Sequence, residues 1–257
     1  MSASLEVQNV GKYFGGLKAL NGVNFTIQPG QIFGLIGPNG AGKTTAFNVI
    51  SGVLPPSKGD IRLNGESIVG KKPSRIVDKG LVRTFQQTMV FPGRTVLENV
   101  IAGAMVKEEI SLAASIFDTK AAQDARNRAE EHAWEALNLL GIGHQAHIRA
   151  GDLPYGHQRR LGVAVALSTR PSILLMDEPA AGLNPEEKAD MARAITSIRE
   201  ARNLTILLVE HHMKMVMGLC DRIAVLNYGE MIAEGSPAEI RSNPKVIEAY
   251  LGKDDYE

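Results

Sequence analysis

An apolar pentad, Ile32-Phe33-Gly34-Leu35-Ile36, runs straight into Gly37-Pro38-Asn39-Gly40-Ala41-Gly42-Lys43-Thr44, and a helix-compatible stretch, Thr45 to Ile50, follows. The octet fits the pattern G-x-x-x-x-G-K-S/T at every fixed position, and the strand-loop-helix context is the one that gives this pattern its meaning. Glycines let the loop fold back so that successive N–H groups face one anion, at a helix start whose first donors lack intrahelical partners. The run from Gly37 to Thr45 is therefore a cradle for a nucleoside triphosphate. Lys43 is placed to reach the β- and γ-phosphates, and the Thr44 hydroxyl to ligate Mg²⁺.

A second buried strand, Ile173-Leu174-Leu175-Met176, runs directly into Asp177 and Glu178. Acids at the end of an apolar strand make sense beside a cation. In P-loop NTPases an aspartate at the carboxyl end of a neighbouring strand holds the Mg²⁺ shell, and open parallel sheets take their ligands at that edge. Asp177 is expected in that role. Glu178, on the opposite side of the pleat, is expected to polarise the attacking water. Capping the helix that starts near Pro185 is the alternative use of these acids, but residues 179–183 intervene.

With those two motifs in register, the chain resembles the ATP-binding subunit of an ATP-binding-cassette (ABC) transporter over nearly its whole length. Thr84-Phe85-Gln86 stands where that family keeps a glutamine that contacts the metal and senses the membrane partner. Val209-Glu210-His211-His212 resembles the family's switch segment, which makes His211 the residue that touches the γ-phosphate. The position after it is usually Asp and is here His212. Lys12-Tyr13-Phe14-Gly15-Gly16 matches the segment whose aromatic ring stacks on adenine. Register favours Phe14, with Tyr13 second, since a π-face is the only requirement. The resemblance implies an α/β P-loop NTPase with a RecA-like core, an antiparallel β subdomain and an inserted α-helical subdomain. It also implies ATP and Mg²⁺ as ligands, with Thr44, Gln86 and Asp177 around the metal and Glu178 and His211 as the catalytic pair.

Periodicity divides the chain in the same way. Short β-branched and apolar runs at residues 5–10, 23–27, 32–36 and 61–63 alternate with turn signals such as Gln28-Pro29-Gly30 and Asn64-Gly65. From residue 95 to 149 the composition turns to Ala, Glu, Arg and Leu, with Ala129, Ala133, Ala136, Leu137 and Leu140 at helical spacing. That segment is expected to be the helical subdomain of a single ATP-binding domain over residues 1–257. The rest, residues 1–94 and 150–257, is expected to form the core with its β subdomain. Residues 110–124 read as a long loop or an extra helix. Strand-helix alternation then resumes, with a helix from Pro185 carrying Glu186 and Glu187 in its first turn.

Charge and composition narrow the partners. Lys+Arg and Asp+Glu balance at 28 each among 257 residues, so no basic field points to nucleic acid. Cys220 is the only cysteine, which excludes an internal disulfide and suits a reducing compartment. No targeting signal is evident, and no apolar run approaches the ~20 residues needed to cross a bilayer. Work at a membrane then requires another polypeptide; the resemblance implies integral-membrane permease subunits, with this chain peripheral at the cytoplasmic face.

The family's L-S-G-G-Q signature, which covers the γ-phosphate of a paired cassette, corresponds here to Leu153-Pro154-Tyr155-Gly156-His157-Gln158-Arg159-Arg160. Pro154 brings neither hydroxyl nor N–H to an anion, while the helix expected from Arg160 to Ser168 still directs its dipole there. After Glu178, Asn184 stands where Asp is common, and is expected either as the N-cap before Pro185 or as a cross-dimer contact. Leu-x-Tyr-Gly, residues 178–185, Val209-Glu210-His211 and the ending Ile247-Glu248-Ala249-Tyr250-Leu251-Gly252 most resemble the branched-chain amino-acid import ATPases, which commonly use two different cassettes. The resemblance implies an importer subunit paired with a second ATP-binding subunit, a heterodimer before a homodimer. Importers of urea and short amides share the pattern. A soluble ABC ATPase of DNA repair or translation is the competing class, but those usually carry paired cassettes or a coiled-coil insertion. A small-molecule P-loop kinase fails on Gln86, the partial signature and His211 occurring together.

Overall fold

A computed structural model describes residues 3–84, 90–108 and 117–251 and resolves two compact units. Unit 1 holds residues 1–83, 172–181 and 199–257; unit 2 holds residues 84–171 and 182–198. The helical unit thus reaches beyond the composition shift at residues 95–149.

Unit 1 is built on two sheets. The first has the order β2-β1-β4-β5 and is antiparallel: β1 (Leu5–Phe14), β2 (Leu17–Ile27), β4 (Lys58–Leu63) and β5 (Glu66–Ser67). The second has the order β10-β9-β3-β8-β7-β6: β3 (Ile32–Ile36), β6 (Leu81–Arg83), β7 (Ile173–Asp177), β8 (Thr205–Val209), β9 (Arg222–Asn227) and β10 (Glu230–Gly235). Its strands are parallel except β10, which closes one edge as a hairpin with β9. Every residue of β3, β7 and β8 is buried, which is why these strands read as continuous apolar runs without alternation. Helix α1 (Lys43–Ile50) buries Ala46, Phe47, Val49 and Ile50, and Phe25 of β2 stacks on Phe33 of β3 at 5.0 Å between ring centroids. These residues join Leu175, Leu207 and Leu226 in one core. Unit 1 also contains α2 (Pro73–Asp78), α7 (Met213–Leu219), α8 (Pro237–Ser242) and α9 (Pro244–Leu251).

Unit 2 packs three helices, α3 (Val96–Ala104), α4 (Lys120–Leu139) and α5 (Tyr155–Ser168). The expected stripe is on the inside: Ala129, Ala133, Ala136, Leu137 and Leu140 are all buried. Thr95 and Glu98 form a capping box on α3, and the Thr119 hydroxyl accepts from Ala122 N–H at the start of α4. Most of α6 (Pro185–Arg202) belongs to this unit. Of the stretch read as a loop or extra helix, residues 110–116 lie outside the described residues, and α4 begins at Lys120. Helix α5 begins at Tyr155, five residues before the expected Arg160, because Pro154 has the extended ψ of an N-cap and its carbonyl already accepts from His157 and Gln158 N–H.

No helix among the described residues is long and apolar enough to cross a membrane. Cys220 lies after α7, where its sulfur leaves room only for a glycine at position 34, and burial pushes its thiol up to about 12. A thiol this protonated reacts slowly. At pH 8 the folded chain is expected to react with a disulfide reagent at least about 100-fold more slowly than the urea-unfolded chain; equal rates would show Cys220 to be accessible.

Candidate functional site

Parallel register sets the site. Leu35 pairs with Val209, Asp177 with Val209 and Arg83 with Leu175, so β3, β6, β7 and β8 end together on one edge of the sheet. At the end of β3, Gly37 adopts φ 152, and a Cβ there would run into the Leu226 carbonyl. Only glycine allows the chain to pass β9 this closely. The loop then closes onto α1, whose cap Gly42 has φ 101 and supplies no side-chain hydrogen bond, and no acid occupies the first turn. A helix start without a side-chain cap or an acid suits an external anion. Lys43 is buried, with Nζ donating to the carbonyls of Gly37 (2.6 Å) and Pro38 (2.9 Å).

A cleft of about 540 Å³ is lined by Asn39 to Thr45 together with Glu178, His211, Leu17, Lys18, Ala19, Tyr228 and Gly229. It brings the phosphate loop and both expected catalytic residues to one place. His211 Nε2 and Glu178 Oε1 are 2.7 Å apart. Glu178 is not placed by pleat alternation: β7 stops at Asp177, and Glu178 has φ 48, a left-handed conformation that turns its side chain out of the strand. Its N–H donates to the Val209 carbonyl and its carbonyl accepts from Ala181 N–H, which holds the turn. Non-glycine residues in this conformation cost on the order of 1–3 kcal/mol and concentrate at functional sites.

Asp177 is buried and is not among the residues lining the cleft; its Oδ2 accepts from Arg83 Nη2 at 3.0 Å. Burial raises its carboxyl pKa, opposed by the Arg83 charge. Arg83 also donates to Asn48 Oδ1 at 2.6 Å and lies over the Phe47 ring, 4.6 Å from its centroid, so it ties the end of β6 to α1 and β7. The Thr44 hydroxyl and Asp177 carboxylate are hard oxygen donors of the kind Mg²⁺ takes. Gln86 lies outside the described residues.

Phe14 ends β1, half exposed, with the Lys12 ammonium 5.1 Å from its ring centroid; it is not among the residues lining the cleft. Tyr13 is likewise absent from the lining, where the aromatic is Tyr228. In unit 2, Asn184 caps α6: Glu187 N–H donates to Asn184 Oδ1 and Asn184 N–H to Glu187 Oε2, each at 2.9 Å. The signature-like segment opens α5 with Pro154 as a cap that makes no side-chain hydrogen bond. Burial, then Arg160 and His144, lower the His157 pKa, so a neutral imidazole faces neutral pH.

Like Arg83, Glu210 is left without a role by the sequence pattern. It is buried, with Oε1 accepting from Ala180 N–H (2.8 Å) and Oε2 from His211 N–H (3.1 Å). One carboxylate thereby fixes the backbones that carry Glu178 and His211. An acid directly after a buried apolar strand was the available signal. Glu210→Ala leaves those amides unpaired and is expected to lower stability by about 1–3 kcal/mol in urea titration, with Glu210→Gln losing less; wild-type stability in Glu210→Ala would remove this brace.

Residues 20–181 match the family model described as ABC transporter, and residues 230–256 match one described as branched-chain amino acid ATP-binding cassette transporter. The chain is 45% identical over 249 residues to the high-affinity branched-chain amino acid transport ATP-binding protein BraF of Pseudomonas aeruginosa, covering 97% of this chain and 98% of that one. It is 43% identical to LivG of Escherichia coli over the same shares. Among solved structures, the ADP conformation of an ATP-binding cassette of an ABC transporter aligns with TM-score 0.85 at 33% identity, covering 98% of this chain and 100% of that chain. A dimeric cassette in a post-hydrolysis state, bound to ADP and Pi, aligns with TM-score 0.74 at 25% identity, covering 91% and 98%.

Proposed function

The chain belongs to the ATP-binding cassettes of ABC transporters, and from that premise we propose that it is the ATP-hydrolysing subunit of an importer for branched-chain amino acids. One observation carries the chemistry: the Glu178–His211 pair stands in the same cleft as an uncapped phosphate loop. Lys43 holds two loop carbonyls in place of phosphate oxygens and exchanges them for a charge-assisted contact to the β- and γ-phosphates. Gly42 to Thr45 bind the triphosphate through backbone amides. Thr44 and Asp177 would hold Mg²⁺, which would supply charge neutralisation of the triphosphate. His211 orients the Glu178 carboxylate, which accepts the proton of the attacking water.

Support for the solute comes from the two named relatives and from the match over residues 230–256. The subunit acts at the cytoplasmic face, held by permease subunits. A dimeric structural neighbour supports pairing with a second cassette. Pro154 and neutral His157 weaken what this chain offers to a phosphate on that partner, so the pair is asymmetric, with hydrolysis concentrated at the site built on Lys43 and Glu178.

Glu178→Gln is expected to bind ATP normally and to hydrolyse it at least ~100-fold more slowly in single-turnover assays; near-native turnover would remove Glu178 from the mechanism. In the assembled transporter the same change should abolish most ATPase, whereas the corresponding change in the second cassette spares much of it. Equal losses would show equivalent or fully coupled sites. Cells lacking this chain should lose high-affinity uptake of labelled leucine, isoleucine and valine, and unchanged uptake would contradict the proposed solute.

A further inference from the structure

Two hairpins of unit 1 share one turn geometry but not one chemistry. Between β4 and β5 the two-residue loop is Asn64-Gly65, with φ 51 and 78; between β9 and β10 it is Tyr228-Gly229, with φ 47 and 79. Positive φ at both central positions defines the type I′ turn, for which Asn-Gly is the favoured pair because asparagine tolerates the left-handed region. An aromatic residue at the first position opposes that preference. Conformation alone gives no reason for a tyrosine there.

Its surroundings supply one. Gly229 N–H donates to the Ala41 carbonyl at 2.9 Å, and the Gly229 carbonyl accepts from Asn21 N–H at 2.8 Å, so the turn is fastened between the phosphate loop and β2. A Cβ at position 229 would lie 2.6 Å from the Ala19 carbonyl oxygen, which leaves no slack in the docking. Tyr228 is thereby fixed on the wall of the cleft that holds Asn39 to Thr45, with its side chain 77% exposed. Leu17, 66% exposed, lines the same cleft. A large aromatic and a large aliphatic side chain, both open to solvent beside a loop whose amides and lysine take only phosphate, form an apolar surface suited to the flat face of a nucleobase.

We propose that Tyr228, with Leu17, is a specificity-determining contact for the nucleoside half of the nucleotide, held in an unfavourable turn conformation for that purpose. The proposal rests on nucleotide binding by the phosphate loop, and the two are separable by ligand: ATP carries a nucleoside, inorganic tripolyphosphate does not.

The test is isothermal titration of wild type, Tyr228→Asn and Tyr228→Phe with both ligands, alongside thermal melts. Tyr228→Asn restores Asn-Gly and is expected to keep or raise the melting temperature, to bind tripolyphosphate as wild type does, and to bind ATP about tenfold more weakly. Tyr228→Phe keeps the π-face and should keep wild-type ATP affinity. Unchanged ATP affinity in Tyr228→Asn would overturn the proposal, as would a parallel loss of both ligands, which would mark Tyr228 as a support for the loop backbone. Failure of wild type to bind either ligand would instead overturn the nucleotide reading on which this one depends.

Discussion

Everything at the site depends on five parallel strands ending in step. Because β3, β6, β7 and β8 pair in register, their carboxyl ends deliver Gly37, Arg83, Asp177 and Glu210 to one edge. Three of those residues are charged, and Asp177 and Glu210 are each 3% exposed. A buried charge without a partner is costly, so the edge is stable only because the groups satisfy one another. Arg83 answers Asp177, and the Ala180 and His211 amides answer Glu210. The arrangement fixes the loop at Gly37–Thr44, Asp177 and the Glu178–His211 pair relative to one another, the preorganisation that the proposed hydrolysis requires.

Of the seven described non-glycine residues with left-handed φ, Glu178 and Tyr228 line the cleft. Side-chain caps close α3, α4, α6 and α8, whereas α1, α2, α5 and α7 begin with caps that make no side-chain hydrogen bond. The loop at Gly37–Thr44 and the signature-like segment open two of those four helices. An absent side-chain cap costs helix stability.

The phosphate loop was legible because its chemistry is local: glycine, lysine and threonine at fixed spacing between a strand and a helix specify the turn without help from distant residues. The apolar runs of β3, β7 and β8 were legible for the same reason, and so was the alanine stripe of α4. Arg83 and Glu210 were not given roles, since what they do depends on pairing between strands about 90 and 30 residues apart. Glu178 was expected on the far face of a pleat, yet its position follows from a backbone turn that period-two alternation cannot encode. The start of α5 was set five residues late, since Pro154 itself leads the helix as its cap. Tyr228 was given no role, since the fastening of the β9–β10 hairpin to Ala41 is a contact between residues distant in sequence.

The central claim is that the loop at Gly37–Thr44 is a working nucleotide site and that Lys43, resting on the Gly37 and Pro38 carbonyls, moves its contacts to phosphate. Calorimetric titration of the purified chain with ATP, in wild type and Lys43→Ala, tests it most directly. Loss of a charge-assisted hydrogen bond worth about 1.5–3 kcal/mol predicts roughly 10- to 150-fold weaker binding in the variant. Equal ATP affinity in the two proteins would contradict the account.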